Sequence, residues 1–349
     1  MRRDLPEAVA ERSNLCAKSL GIFALLIGAN LVAWAWALAA FRDHPVLLGT
    51  ALLAYSLGAR HAVDADHIAA IDNVTRKLMQ QGERPVGVGF FFSLGHSTVV
   101  VLASLAIALG AGELQRFVGW RELGSLIGTA VSAGFLFAIA LANLIALRPI
   151  YRAFRRLRRG GSLDAAALEG FLLEGMLGRL FRPLLALIRA SWQMYPLGLL
   201  FALGSDTATE VGVLGISAAE ATRGLPIWSI LVFPALFTAA MSLADTADGI
   251  LMLGAYGWAF TKPLRKLYYN LTITLVSVLA AVIVGSVELL GVIAQRFSFE
   301  GTFWSLIERL NENFGSLGLL IVGLFAASWA IAAAIYRLKR FGEVEATRG

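Results

Sequence analysis

Long apolar runs separated by short polar segments dominate the chain. A helix needs about 20 apolar residues to cross a hydrocarbon core roughly 30 Å thick. The pattern therefore predicts an all-α integral membrane protein with about eight transmembrane helices, over residues 19–41, 46–75, 86–111, 124–147, 195–219, 226–260, 269–294 and 315–336. The second and sixth segments carry interior charges, and Pro234 breaks the sixth, so both are candidates for discontinuous helices.

The composition agrees with a membrane protein. Hydrophobic residues make up 58% of the chain and charged residues 15%, and the mean hydropathy is +0.70, which leaves little sequence for a soluble domain. The first apolar run lacks the cleavage site of a signal peptide, which predicts a retained helix. Cys16 is the only cysteine, so disulfides, thiolate metal sites and iron–sulfur clusters are not expected.

The distribution of basic residues predicts that both termini are cytoplasmic. With the N-terminus inside, the cytoplasmic segments hold 23 of the 30 lysines and arginines, and the outside loops hold six. Basic residues are enriched in cytoplasmic loops, and an even number of spans agrees with this orientation. Topology thus explains the net charge of +6, and no nucleic-acid partner is expected.

An arginine-rich connector divides the chain into two halves. Its run YRAFRRLRRGG is expected to lie against anionic lipid headgroups. We predict a single polytopic membrane domain over 1–349, with a first four-helix half at 1–147, a basic cytoplasmic connector at 148–194 and a second four-helix half at 195–349.

Ionisable residues inside the predicted spans are candidates for function, because a charge at the bilayer centre costs about 2.5 kcal/mol or more. The second span contains the run RHAVDADHIAAIDN. On a regular helix, His61, Asp64 and His67 fall on one face, with Asp72 close to His61. Asp66 points about 140° away from His61, so it requires either a local unwinding or a different role.

An alternative interpretation of this run is a group neutralised by Arg60, but one arginine cannot balance three aspartates. In the third span, FSLGHSTVV places His96 near mid-depth, with Ser93 one turn before it. A lone membrane histidine is often only a hydrogen-bonding group between helices. The presence of other clusters of ionisable residues in the predicted spans favours a ligand role for His96.

Two acidic pairs follow at helical spacing. In the fifth span, LGSDTATEV places Asp206 and Glu210 on one face, with Thr207 beside them. In the sixth span, SLADTADGILM does the same for Asp245 and Asp248. Either pair could bind a cation. Helix packing through hydroxyl groups is the alternative, and it does not account for four acids in apolar spans.

Imidazole with carboxylate and without thiolate suits divalent first-row metals such as nickel, cobalt, zinc, iron or manganese. Calcium and magnesium prefer shells made only of oxygen. Two weaker candidates are Asn143, which is expected to hydrogen-bond across helices or to offer its carbonyl oxygen to an ion, and Glu288, which approaches the outer interface.

Enzymes that could use the same residues lack their motifs in this sequence. The chain has no H-E-x-x-H motif of a zinc protease, and its four histidines are too few for a membrane di-iron oxygenase. It has no G-x-x-x-x-G-K-[ST] loop, so no ATPase subunit is evident. The energy for transport would come from an ion gradient or from another chain.

Four motifs, in order along the chain, resemble those of the nickel/cobalt transporter family of bacterial, archaeal and fungal permeases. They are the H-x-x-x-x-D-H element from His61 to His67, then FSLGHSTVV, LGSDTATE and DTADG. Ser205 stands where the family usually has Phe, and Ala240 where a Gly precedes the sixth-span motif. These two departures bear on local packing and metal preference.

The resemblance implies a secondary permease of the cell membrane that carries Ni²⁺ or Co²⁺ as substrate, without a permanently bound cofactor. Carried over motif by motif, it implies metal ligands at His61, Asp64, Asp66, His67, His96, Asp206, Asp245 and Asp248. The accessory candidates are Glu210, Asn143, Ser93, Thr207 and Asp72. A connector without histidine favours import over efflux, and a membrane protein that holds its metal statically is a further alternative.

Overall fold

The computed structural model describes residues 5–110, 114–158, 188–204, 208–259 and 263–338. Within these ranges the regular structure is helical and no strand occurs. The helices are α1 Leu5–Phe41, α2 Pro45–His61, α3 Ala65–Gln80, α4 Val88–Leu109, α5 Leu114–Arg158, α6 Met194–Ala202, α7 Ala208–Thr222, α8 Ile227–Ile230, α9 Val232–Ala259, α10 Pro263–Phe297, α11 Thr302–Glu312 and α12 Phe314–Leu338.

Several of these helices are suited to a bilayer. Five helical stretches are long and apolar enough to cross one, namely Ser13–Phe41, Val88–Leu109, Ser125–Ile145, Ile227–Gly257 and Leu271–Phe297. Two bent pairs, α2 with α3 and α11 with α12, bring the number to as many as seven. The predicted all-helical, multi-spanning class is confirmed, whereas the number of eight stays a prediction. The fifth predicted span corresponds to α6 and α7, and residues 205–207 between them lie outside the described ranges.

The outward surface of the bundle is apolar. Large aliphatic side chains on widely separated helices are more than half exposed, among them Leu20, Leu31, Leu251 and Leu319. Contiguous apolar surface of this kind is disfavoured in water and is what acyl chains solvate. The exposed leucines therefore agree with a lipid-facing surface.

The second predicted span is discontinuous, as its interior charges predict. α2 ends at His61 and α3 begins at Ala65, with a bend of 49° between the two helices. Asp64 has an extended backbone (φ −65°, ψ 147°) and immediately precedes the first turn of α3. The interruption therefore falls inside the histidine and aspartate motif itself.

The sixth predicted span is interrupted at Leu231, between α8 and α9, three residues before Pro234, which agrees with the predicted effect of this proline. Pro234 is the third residue of α9. Proline has no backbone N–H, so it cannot donate to the carbonyl oxygen of Ile230 four residues before it, and α9 begins at Val232 with Pro234 in its first turn. From this turn α9 continues to Ala259.

Helix α9 lies at the centre of the motif-bearing helices, where it packs against α2, α3 and α4. Glycines permit this close approach. A Cβ atom at Gly58 of α2 would collide with the carbonyl oxygen of Phe237, and one at Gly89 of α4 would collide with that of Asp245. The hydrophobic effect does not drive helices together within a bilayer, so membrane helices associate by close packing, which small residues permit. The polar residues of four helices consequently meet in the interior.

Candidate metal centre

Three histidines from three helices meet in the interior of the bundle. His61 is the last residue of α2, His67 lies in the first turn of α3, and His96 lies on α4. All three are fully buried, and their ring centroids are 4.6–4.7 Å apart. Each offers a ring nitrogen, and these nitrogens lie within 4.8 Å of one another. We call this group the histidine triad.

The break between α2 and α3 brings two members of the triad together. Along a regular helix, His61 and His67 would be separated by about 9 Å of rise. The interruption instead leaves their ring centroids 4.6 Å apart. α2 ends at this point, and the partial negative charge at the C-terminus of a helix favours a cation.

Two aspartates hold the histidine rings. Asp64 Oδ2 lies 2.8 Å from His61 Nδ1, and both carboxylate oxygens of Asp245 lie 3.2 Å from His67 Nδ1. A carboxylate on Nδ1 fixes the tautomer and directs Nε2 towards a ligand. Among the described residues, no hydrogen-bond partner reaches Nε2 of His67. Asp64 and Asp245 are thus placed to orient imidazoles.

Glu210, in the first turn of α7, joins the triad. Its Oε1 lies 2.6 Å from His96 Nε2 and 3.6 Å from His61 Nε2, and these two nitrogens are 2.9 Å apart. Two nitrogen ligands at about 2.1 Å from one ion and at right angles would be about 3.0 Å apart. The spacing therefore fits neighbouring positions on a single metal ion. Thr209 Oγ1 lies 3.0 Å from His61 Nδ1.

Aromatic rings form part of the wall of this site. Phe92 meets His67 edge-on with centroids 4.8 Å apart, and Phe237 lies 5.5 Å from His61. Both phenylalanines are fully buried. An apolar wall keeps water away, so the charges of Asp64, Asp245 and Glu210 act strongly on a dication bound between the histidines.

Asp66 is directed elsewhere. Its side chain is 1% exposed, and it lines a cavity of about 470 Å³ together with residues of α5, α10, α11 and α12. No histidine lines that cavity. Asp66 therefore does not share the hydrogen-bonded contacts of the triad, and both roles that helical geometry leaves open for it stay predictions.

Asp72 and Asp248 lie beyond the triad. Asp72 accepts hydrogen bonds from Tyr256 and, at 2.8 Å, from Ser277. Asp248 lies one turn from Asp245 on α9, close enough to Asp72 and Asp245 for their charges to interact. The shared role predicted for Asp245 and Asp248 stays a prediction: Asp245 contacts His67, and the charge of Asp248 interacts with those of Asp245 and Asp72.

Asn143 belongs to a polar network between helices. Its Nδ2 donates to Asn73 Oδ1 at 2.7 Å, and the same oxygen accepts a bond of 3.0 Å from the buried Arg76. Arg76 also donates to Thr274 at 2.7 Å. Of the two roles expected for Asn143, the structure shows the hydrogen bond across helices. Ser93 donates to the carbonyl oxygen of Phe90 at 3.0 Å, within its own helix.

Two candidate residues, Asp206 and Thr207, lie outside the described ranges. Sequence reasoning missed the network residues Asn73, Arg76 and Tyr256, although their positions carried a signal. Asn73 and Arg76 follow Asp72 on α3 at helical spacing, and Tyr256 lies two turns after Asp248 on α9.

Comparisons with known proteins agree on one family. The family model described as "High-affinity nickel-transport protein" matches residues 47–335. The chain is 62% identical to a "High-affinity nickel transport protein" of Cupriavidus necator, with 94% of each chain covered. It is 46% identical to "Nickel transporter NicT" of Mycobacterium tuberculosis (93% of this chain, 89% of the relative) and 42% identical to "Cobalt transport protein NhlF" of Rhodococcus rhodochrous (84% of each). No solved structure matches.

Proposed function

The chain belongs to the high-affinity nickel-transport protein family, and from this premise we propose that it is a secondary transporter that imports Ni²⁺, Co²⁺ or both across the cell membrane. The family and the relatives are transporters rather than enzymes. The direction of transport, the choice of metal and the ligands are the parts that we infer.

The observation that carries the proposal is the buried histidine triad with Glu210. Three imidazoles and a carboxylate converge at a helix break, and two aspartates hold the histidine rings. Nitrogen donors with carboxylate suit nickel and cobalt, whereas an all-oxygen shell would suit magnesium or calcium. We therefore assign the metal to the triad and Glu210, with Asp64 and Asp245 as orienting residues.

The arrangement of helices supports alternating access. Substrate sites in secondary transporters often lie near mid-membrane where helices are interrupted, because free helix ends there can meet an ion. The triad lies at the break between α2 and α3, and Glu210 contacts it from the first turn of α7. We infer eight spans with both termini cytoplasmic, α6 and α7 together forming the fifth.

Nickel flux into vesicles tests the function. Purified protein reconstituted in liposomes should accumulate radioactive nickel under an imposed gradient, with cobalt competing strongly and magnesium weakly. In His96→Ala, the flux should fall to background, since one ligand of the ion and the partner of Glu210 are lost. Equal competition by magnesium would contradict the ligand assignment.

His44→Ala provides the matched control. His44 is the one histidine outside the triad, and it is exposed just before α2. Its loss should leave nickel flux unchanged at equal protein content. Bound nickel without any flux would instead favour a static metal-binding protein, and net extrusion under physiological gradients would favour efflux.

A further inference from the structure

A cavity of about 470 Å³ leads from the surface to the neighbourhood of the triad. It lies between α5, the C-terminal part of α10, α11 and the start of α12. Along α10 it extends for about 10 Å, the rise between Glu288 and Gln295. On the orientation proposed above, this end of α10 and the whole of α11 face the outside.

The cavity is lined by acids. Among the residues that the structure describes, five carboxylates line it and no lysine, arginine or histidine does. Glu300, Glu308 and Glu312 are exposed at its mouth, Glu288 is partly buried along its wall, and Asp66 is buried at its inner end. A cleft lined by one sign of charge concentrates ions of the opposite sign and accelerates their capture.

The inner end of the cavity offers carboxylate oxygen atoms. Asp66 is 1% exposed, and within the described ranges its Oδ1 has no hydrogen-bond partner. Glu288 lies close enough for its charge to interact with that of Asp66, and Ser132 donates to the Glu288 carboxylate, whose oxygens lie 2.8 and 3.0 Å away. Asp66, Glu288 and Ser132 line the same cavity, and carboxylate and hydroxyl oxygens are ligands that divalent cations accept.

We propose that this cavity is a second divalent-cation site, an external vestibule in which Asp66 and Glu288 bind the incoming ion before it reaches the triad. The inference rests on the proposed import function. Asp66 and His67 are consecutive residues in the first turn of α3, so an ion bound at Asp66 is next to an imidazole of the triad.

The two sites differ in selectivity. The vestibule offers only oxygen, so it distinguishes less between Mn²⁺, Mg²⁺ and Ni²⁺ than the triad does. The triad adds imidazole nitrogen, which discriminates in favour of nickel and cobalt. Most of the selectivity therefore comes from the triad, which the ion reaches after the vestibule.

Cysteine labelling tests the vestibule directly, because Cys16→Ser yields a chain without cysteine. Thr129→Cys places a thiol in the cavity wall, and Asp43→Cys places one on the same face outside the cavity. An impermeant methanethiosulfonate reagent applied from outside should label both. Saturating Mn²⁺, which binds thiols poorly, should slow labelling several-fold at Thr129→Cys and leave Asp43→Cys unchanged.

Two further variants assign the protection to its ligands. Adding Glu288→Gln should abolish the effect of Mn²⁺ on Thr129→Cys, whereas adding His96→Ala should leave it intact, since the triad lies beyond the vestibule. Labelling that Mn²⁺ does not alter, in a protein that still imports nickel, would overturn the vestibule and leave the proposed function standing. Mn²⁺ protection in a protein without nickel flux would overturn the proposed function and leave the cation site in the cavity standing.

Transport kinetics provide a second measurement that does not depend on buried substitutions. The double variant Glu308→Gln, Glu312→Gln changes only exposed side chains of α11. Its nickel uptake at low salt should show kcat/KM lowered about tenfold with kcat retained, because electrostatic capture is weakened. An unchanged kcat/KM at low salt would count against the vestibule.

Discussion

Asp64 and Asp245 each contact the Nδ1 atom of a histidine, His61 and His67 respectively. This is the position of a carboxylate that orients an imidazole, and on the proposed function neither aspartate binds the metal directly. Asp64→Asn keeps the shape of the side chain and removes the charge that holds His61 Nδ1. Loss of such an outer partner typically lowers metal affinity about 10–100-fold. We expect radioactive nickel binding to the purified variant to weaken to that extent, while flux at saturating nickel persists.

Asp43→Asn is the matched control for this substitution. Asp43 is exposed and pairs with the neighbouring Arg42, at 3.1 Å. The same chemical change there should leave nickel affinity unaltered. An Asp64→Asn protein that binds nickel as tightly as the parent would show that Asp64 does not support His61.

The sequence motifs predict which residue types line the interior, but they do not predict their pairing. His96 meets Glu210 across 114 positions, and His67 meets Asp245 across 178. Such pairs depend on how helices pack, which helical spacing within one span does not reveal. For this reason Glu210 ranks as accessory in the sequence and stands among the histidines in the structure.

At the scale of helices, close packing of α2 against α9 positions the triad. Gly58→Ala would place a Cβ against the backbone of Phe237, less than one turn from His61. Overpacking of this kind typically costs about 1–3 kcal/mol. We expect a lowered thermal unfolding midpoint in detergent together with reduced nickel flux.

Gly28→Ala tests whether this effect is specific. An added Cβ at Gly28 of α1 has no neighbouring atom within 4 Å. Because alanine favours helix by roughly 1 kcal/mol over glycine, this substitution should be neutral or slightly stabilising. If both variants lost the same stability, the contact between α2 and α9 would not be the cause.

The interruptions of helices were only partly predictable. Interior charges in the second span indicate a discontinuity, and the break lies within the charged motif, at residues between His61 and Ala65. In the sixth span, the interruption at Leu231 precedes Pro234, which cannot donate to the carbonyl oxygen of Ile230. Hydropathy alone leaves the exact residue of a break uncertain.

At the scale of the whole molecule, the account requires both termini in the cytoplasm. Alkaline phosphatase needs disulfides and is active only outside the cytoplasm. Fused at Gly224, in the turn between α7 and α8, it should be active, and fused at Arg84, between α3 and α4, it should be inactive. The opposite pattern of activities would show that the protein has the inverse orientation, with the acidic cavity open to the cytoplasm.

The acidic vestibule is a property of the assembled molecule that the sequence does not reveal. Residues 295–314 form a polar segment between two apolar runs, and their pattern gives no sign that α11 borders a cavity. Glu288 is predicted only to approach the outer interface. Its position opposite Asp66 follows from the packing of α10 near α3, which brings together residues from distant parts of the chain.

X-ray absorption at the nickel edge of the purified, nickel-loaded protein tests the central claim most directly, because it reports the atoms bound to the ion. The account predicts imidazole scattering with metal–nitrogen distances of about 2.0–2.1 Å, and a loss of one imidazole in His96→Ala but none in His44→Ala. A nickel shell made of oxygen alone, unchanged by His96→Ala, would contradict it.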